Sequence, residues 1–171
     1  MNGRDLAVEV LKRVVKAAIV GALLYAFFYM IPLLALALIE SGFLSGLVGG
    51  QVPPEVVRFL VEGLRLEELI TYTAAVLIFF TVAATLVEGT ALAYAFLIGR
   101  GLAMAFIWIC VTNGGVFSFT LASLSGIPMK VTVNAERFVV ALACIGFLDM
   151  GRNAIKAVSW ACERAGREVE R

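Results

Sequence analysis

The sequence predicts an all-α integral membrane protein with four transmembrane helices, amphipathic extensions and a short extramembrane β-hairpin between helices 3 and 4. Composition is the first indication: 61% of the 171 residues are hydrophobic and 16% are charged. A soluble domain has about 45–50% apolar and about 25% charged residues. The second indication is the length of the apolar runs, several of which reach the ~20 residues that a membrane-crossing helix needs. Residues 1–171 are therefore predicted to form a single polytopic membrane domain.

The composition also excludes several classes of function. Fourteen Lys and Arg against thirteen Asp and Glu leave a net charge of +1, which provides no basic surface for nucleic acid. The chain has no His and only three Cys, far apart in sequence, so the commonest general base and the usual metal spacings are missing. No catalytic motif is present. We therefore predict a non-enzymatic protein without a cofactor or metal site.

The first span is predicted from an amphipathic start followed by an uncharged run. In residues 1–16, apolar residues recur every four positions beside Lys and Arg, which is typical of one helix face. The run 17–39 carries no charge and is long enough to cross a membrane. It is too long for a signal peptide and ends without a small-residue cleavage site. Pro32 lies inside this run and is expected to kink the helix.

Residues 41–68 are predicted to form an external loop that contains a short amphipathic helix. The loop begins with a Gly-rich apolar segment, and Pro53 and Pro54 then favour the start of a helix over 54–66. Such a helix suits either the membrane interface or a groove on a partner protein. Its apolar face consists of Val57, Leu60, Val61 and Leu64.

The apolar stretch 69–111 contains two charged residues, Glu88 and Arg100. It is too long for one span, so it predicts two helices joined by a turn. The turn falls at either Glu88–Thr90 or Gly99–Gly101, and the first position is favoured because it gives spans of similar length. The second and third spans are then 69–87 and 90–112.

Small residues recur every four positions along the predicted third span. Small side chains let another helix approach closely. Such close packing matters in a membrane, because lipid provides no hydrophobic driving force between helices. Gly101 and Ala105 repeat the same spacing. The pattern favours close helix packing, either inside the chain or with another subunit. The residues assigned to an assembly interface are Gly89, Ala91, Ala95, Gly99 and Ala103.

Residues 115–134 alternate between apolar and polar side chains with a period of two, which predicts a β-hairpin. Open strand edges cannot face lipid, so the hairpin is expected outside the bilayer. Its apolar side is expected to rest on the membrane, on another subunit or on a larger sheet. Asn134 is predicted to cap the last span, 136–156, and residues 157–171 are predicted to be a cytoplasmic helix end, helical to about Ala165, and a frayed tail.

Four ionisable residues lie within or near the predicted spans: Glu88, Arg100, Asp149 and Arg152. An arginine at the centre of a span costs about 2.5–3.5 kcal/mol on insertion scales, so it usually faces a partner, a cavity or a pore. Glu88 and Asp149 are the candidate partners of Arg100. Asp149 and Arg152 are three residues apart and can pair with each other near the inner surface. Glu88 is expected in the turn.

Both ends of the chain are rich in Lys and Arg. The positive-inside rule therefore predicts a multi-pass protein of the cell membrane with both termini in the cytoplasm, which requires an even number of spans. A single glutamine and a low ratio of Lys to Arg also suit a thermophilic protein.

Two functions follow from these patterns. The first is a non-enzymatic membrane subunit that acts through helix–helix assembly, either in a larger membrane complex or as a homo-oligomer. The alternative is a small ion or solute channel or transporter, in which Arg100 lines a polar path with Glu88 or Asp149. The expected partners are the lipid bilayer and other membrane subunits or a second copy of the chain.

Overall fold

The computed structural model describes residues 3–41, 61, 65–121 and 129–169. Within these residues there are four helical segments long and apolar enough to cross a membrane, and one antiparallel two-stranded sheet. The first segment consists of two helices joined end to end. The elements are α1 (Gly3–Tyr25), α2 (Ile31–Glu40), α3 (Leu66–Leu86), α4 (Ala91–Val111), β1 (Val116–Leu121), β2 (Met129–Asn134) and α5 (Glu136–Val169).

An irregular turn interrupts the first long helix. α1 and α2 are joined by a π-helical turn over Ala26–Met30, and the Ile31 N–H donates to the Ala26 carbonyl five residues earlier. Pro32 follows directly. Because proline cannot donate to the carbonyl one turn before it, helix irregularities concentrate at such positions. The irregularity expected at Pro32 therefore takes the form of a wider turn on its N-terminal side.

A tight turn over residues 87–90 separates α3 from α4. Gly89 has a φ of 85°, a conformation that glycine adopts without the steric cost of a side chain. Thr90 is extended and precedes the first residue of α4. The turn is the first of the two considered from the sequence, and Arg100 consequently lies inside α4.

The strands pair in a register that matches apolar with apolar and polar with polar residues at every position except Val116 opposite Asn134. Phe117 pairs with Val133, and Ser118 pairs with Thr132. At the base of the hairpin, the Ala135 N–H donates to the Gly115 carbonyl at 2.8 Å. The hairpin is thereby held against the start of α5.

The structure confirms the predicted cap at the start of the last helix and places the end of that helix later than predicted. The Asn134 Oδ1 accepts a hydrogen bond from the Glu136 N–H at 2.9 Å, as expected of a residue that caps a helix. The helix then continues through Val169, so the frayed end predicted after Ala165 is wrong. The Arg164 guanidinium lies 5.2 Å from the centre of the Trp160 ring, a contact that stabilises this exposed part of the helix.

The long helices pack in the order in which they follow along the chain. α1 packs against α3, α3 against α4, and α4 against α5. In the described ranges, no packing of comparable extent joins α1 to α5, and a groove lies between them. The most buried apolar side chains include five alanines, each at most 7% exposed: Ala17, Ala74, Ala84, Ala105 and Ala143.

Large apolar side chains lie on the outside of every long helix. Those more than half exposed include Leu11, Phe27, Phe79, Phe106 and Leu148. The amphipathic helix predicted over 54–66 and the tip of the hairpin, 122–128, lie outside the described residues, apart from residues 61, 65 and 66.

Candidate functional site between helices α4 and α5

Helices α4 and α5 approach each other closely at two glycines. A Cβ atom added to Gly101 would lie 2.7 Å from the Gly146 carbonyl oxygen, and one added to Gly146 would lie 2.8 Å from the Gly101 carbonyl oxygen. Real Cβ atoms essentially never come that close to backbone. Only glycine therefore permits this backbone-to-backbone contact, which is the geometry that small residues provide in helix pairs.

This close approach brings two charged side chains together. The Arg100 Nη2 atom donates to the Asp149 Oδ2 atom at 2.7 Å. The Arg100 Nη1 atom is 3.4 Å from the Thr81 hydroxyl of α3. Hydrogen bonds between ionised partners are roughly twice as strong as neutral ones. Arg100 therefore ties three helices together, with its main bond to Asp149.

The ion pair lies midway along α4. Arg100 is the tenth of the 21 residues of this helix, about 14 Å from its first residue at 1.5 Å per residue. The sequence also allowed Asp149 to pair with Arg152 near the end of its span. The structure instead pairs Asp149 with Arg100, and Arg152 is exposed. A partner on a neighbouring helix cannot be read from the spacing within one helix.

A cavity of about 460 Å³ adjoins the ion pair. Its volume falls in the range of ~300–1,000 Å³ that is usual for small-molecule sites. Three polar residues line it, namely Thr81, Arg100 and Asp149, and the other walls are apolar except for the backbone of two glycines. All four long helical segments contribute; the apolar side chains are Leu24, Phe28, Leu77, Met104, Trp108, Leu142 and Ile145.

The charged groups are accessible from this cavity. The side chains of Arg100 and Asp149 are 23% and 32% exposed, which is too much for a sealed internal salt bridge. Phe28 and Ile145 are exposed at the walls contributed by the first and last helices. The π-helical turn that contains Phe28 is a type of irregularity frequent at functional sites. The pair thus faces the opening between the first and last helices and is not sealed among the packed helices.

Glu88, the other candidate partner of Arg100, lies in the turn between α3 and α4 and pairs with Lys16. Its carboxylate accepts a hydrogen bond from the Lys16 ammonium of α1 at 2.6 Å, and both side chains are more than half exposed. At the same end of the helices, the Tyr94 and Trp160 rings are 6.4 Å apart. These contacts bring part of α1, the α3–α4 turn and the last third of α5 to one end of the molecule.

The residues that the sequence assigned to an assembly interface fall into two groups, which are packed inside the chain or exposed on its surface. A Cβ atom on Gly99 would lie 2.7 Å from the Phe80 ring of α3, so Gly99 is part of a contact inside the chain. Ala103 is half-buried. Gly89, Ala91 and Ala95 are exposed. Among the described glycines of the long helices, Gly101 and Gly146 are the two whose added Cβ atoms would meet the backbone of a neighbouring long helix.

The sequence patterns did not identify two polar residues that lie near the site. Thr81 contacts Arg100, and Asn153 is 4% exposed and donates to the Asp149 carbonyl oxygen at 2.8 Å. The four-residue spacing from Asp149 to Asn153 is the one signal that could have identified Asn153.

In the described part of the chain, no group of three or more His, Cys, Asp or Glu side chains is arranged to hold a metal ion. The cavity beside Arg100 and Asp149 is the place where all four long helical segments and a charged pair meet. Comparison of the chain with known proteins finds no matching family model, curated protein or solved structure.

Proposed function

We propose that this protein is a multi-pass membrane protein whose four long helical segments cross the bilayer. α3 and α4 have 21 residues each, which gives about 31 Å of helix and matches the ~30 Å hydrocarbon core. The outward-facing Phe and Leu side chains suit a lipid environment. The alanine-rich packing between helices supports the same proposal, since membrane helices pack through small residues.

In this proposal both termini lie in the cytoplasm. The Lys16–Glu88 and Tyr94–Trp160 contacts support it because they bring basic segments of α1 and α5 to the same end. The positive-inside rule assigns that end to the cytoplasm. The hairpin β1–β2 is then on the outer side, and the Arg100–Asp149 pair lies near the middle of the membrane.

The function proposed for the site is the binding and passage of a small solute, as in a channel or transporter. The observation that carries this proposal is the accessible Arg100–Asp149 pair in a cavity lined by all four spans. Charged residues at mid-membrane are costly and typically mark substrate or ion pathways. A purely structural ion pair needs neither a cavity nor partial exposure.

The test is solute flux through the full-length protein in liposomes. Chloride, benzoate, potassium and benzylammonium are supplied one at a time, and uptake is compared with that of protein-free liposomes. We expect protein-dependent flux of at least one solute and its loss in Arg100→Leu. The matched control is Arg152→Leu, which makes the same change at an exposed arginine of α5 and should keep the flux.

Helical content and a monodisperse elution profile are checked for both variants before flux is measured. If none of the four solutes enters faster than into protein-free liposomes, the proposed function is contradicted. Equal loss of flux in both variants also contradicts it, because the effect is then unrelated to the ion pair.

A second candidate is an accessory subunit or homo-oligomer that acts through helix assembly. The exposure of Ala91 and Ala95 at the start of α4 favours it, because small exposed residues at a spacing of four permit another helix to approach. Gly99 is unsuitable for a test, since a side chain there strikes Phe80 inside the chain.

The variant that tests this candidate is Ala95→Leu, with the exposed Leu92→Ala as a control on the same helix. We expect Ala95→Leu to lower the intact mass of the complex measured in nanodiscs, and Leu92→Ala to leave it unchanged. An intact mass equal to wild type for Ala95→Leu excludes this face of α4 as the interface.

A further inference from the structure

We infer that the cavity binds an organic anion with an apolar body, and that each anion is bound together with one proton taken up by Asp149. This inference rests on the proposed function and names its substrate class and its coupling. It derives from the chemistry of the cavity walls and from the unequal properties of the two charged partners.

The walls determine what the body of the ligand must be. Nine of the twelve lining residues offer aliphatic, aromatic or thioether side chains or glycine backbone. A small, strongly hydrated ion such as chloride would lose its water shell against these walls without replacement. An apolar body of modest size buries its surface there, as ligands commonly do in protein cavities.

The charged pair determines the sign of the ligand. Arg100 keeps its proton under all physiological conditions, whereas a carboxyl group such as that of Asp149 can be neutralised by protonation. A ligand carboxylate can therefore take the place of Asp149 as the counter-ion of Arg100. A cation at Asp149 would have to displace the permanently charged guanidinium, which would then remain in the apolar cavity without a counter-ion.

Charge balance couples the anion to a proton. In the resting state Arg100 and Asp149 neutralise each other through the 2.7 Å hydrogen bond. The ligand carboxylate brings one negative charge, and a proton from water adds to the Asp149 carboxylate. The products are the guanidinium paired with the ligand carboxylate and a neutral aspartic acid. The cavity is neutral before and after this exchange, which avoids a net charge in a medium of low dielectric constant.

Among the residues that the structure describes, the other faces of the cavity provide no competing charge. The first helix contributes Leu24 and Phe28, and α3 contributes Leu77 and Thr81. On α5 the nearest further cation in sequence is the exposed Arg152, which does not line the cavity. The charges that face Asp149 in the cavity are therefore those of Arg100 and of the ligand.

The experiment is calorimetric titration of the full chain in nanodiscs with benzoate, repeated in buffers with different ionisation enthalpies to count protons. Benzamide and benzylammonium serve as neutral and cationic probes of the same shape. Octanoate is measured as a lipid-like carboxylate, with empty nanodiscs to subtract partitioning. Tighter binding of octanoate indicates a ligand from the membrane, and tighter binding of benzoate indicates one from water.

We expect about one proton taken up per carboxylate bound, and therefore an affinity that is higher in more acidic buffer. Asp149→Asn imitates the protonated side chain, so it should bind benzoate without proton uptake and independently of pH. Arg100→Gln should lose binding at least tenfold. Arg152→Gln, on the same helix as Asp149, should behave as wild type.

Carboxylate binding by wild type without proton uptake overturns the coupling, whether or not the variants fold. Binding of benzylammonium in preference to benzoate and octanoate overturns the substrate class. In that case cation flux lost in Arg100→Leu but kept in Arg152→Leu leaves the proposed function standing. If flux is absent for every solute, the proposed function itself fails.

Discussion

Arg100→Leu is expected to destabilise the protein by up to about 3–5 kcal/mol, the cost of breaking a fully buried pair, because it leaves the half-buried Asp149 without its partner between packed helices. Asp149→Leu should cost a similar amount, since the guanidinium of Arg100 cannot neutralise itself by losing a proton. The measurement is the free energy of unfolding in mixed micelles, obtained by titration with a denaturing detergent. This is the largest effect expected for a single side chain in the described structure.

The double variant Arg100→Leu with Asp149→Leu should recover most of that stability. Replacing an ion pair between packed helices by apolar residues of similar volume is often neutral or stabilising, because no charge remains to be desolvated. The double-mutant cycle then yields a coupling free energy of several kcal/mol. Near-additive effects would contradict a direct interaction between these two residues.

The exposed ion pair between Lys16 and Glu88 is the matched control for these variants. Its charged atoms are 2.6 Å apart, close to the 2.7 Å of the Arg100–Asp149 pair, but the two side chains are 56% and 54% exposed. Exposed pairs contribute about 0–1 kcal/mol, so Glu88→Gln should change the free energy of unfolding by no more than that. An Arg100→Leu effect as small as that of Glu88→Gln would mean that the Arg100–Asp149 pair is not in an apolar environment.

Gly101→Ala is expected to have the second largest effect. The added Cβ would meet the Gly146 carbonyl oxygen at 2.7 Å and the Met150 nitrogen at 3.0 Å, so α4 and α5 must move apart. Overpacking of this kind costs about 1–3 kcal/mol. The separation should also lengthen the neighbouring Arg100–Asp149 hydrogen bond, and flux should fall together with stability.

The control is the same substitution at Gly151 of α5, where an added Cβ meets nothing within 4 Å. Gly151→Ala should be neutral or stabilise the protein by up to about 1 kcal/mol, because alanine has the higher helix propensity. Equal stability of the Gly101 and Gly151 variants would show that α4 and α5 do not meet at Gly101.

Several features of the fold were predictable because they depend on local sequence. Apolar runs of about 20 residues predict the long helices, and Glu88 to Thr90 predict the turn between two of these runs. The alternation of apolar and polar side chains predicts the hairpin, and Asn134 predicts the cap of the last helix. The helical continuation to Val169 was missed. The contact of Arg164 with Trp160 lies just before this continuation, in the part that was predicted to be helical.

The partners of the site residues were not predictable, because they depend on which helix faces are brought together. The sequence left Arg100 with two candidate partners, and the choice of Asp149 over Glu88 follows from the contact between Gly101 and Gly146. The four-residue spacing of small residues occurs in two overlapping sets on α4. Only the packed helices distinguish Gly101, which contacts α5, from the exposed Ala95.

Solute flux through the Arg100→Leu, Asp149→Leu double variant distinguishes a transport role of the ion pair from a structural one. This variant is expected to be as stable as wild type within about 1 kcal/mol, since it carries no unpaired charge. We predict that it folds and inserts normally but transports none of the solutes that wild type transports. Flux equal to wild type in the folded double variant would contradict a role of the ion pair in transport, because the pair would then be a structural feature alone.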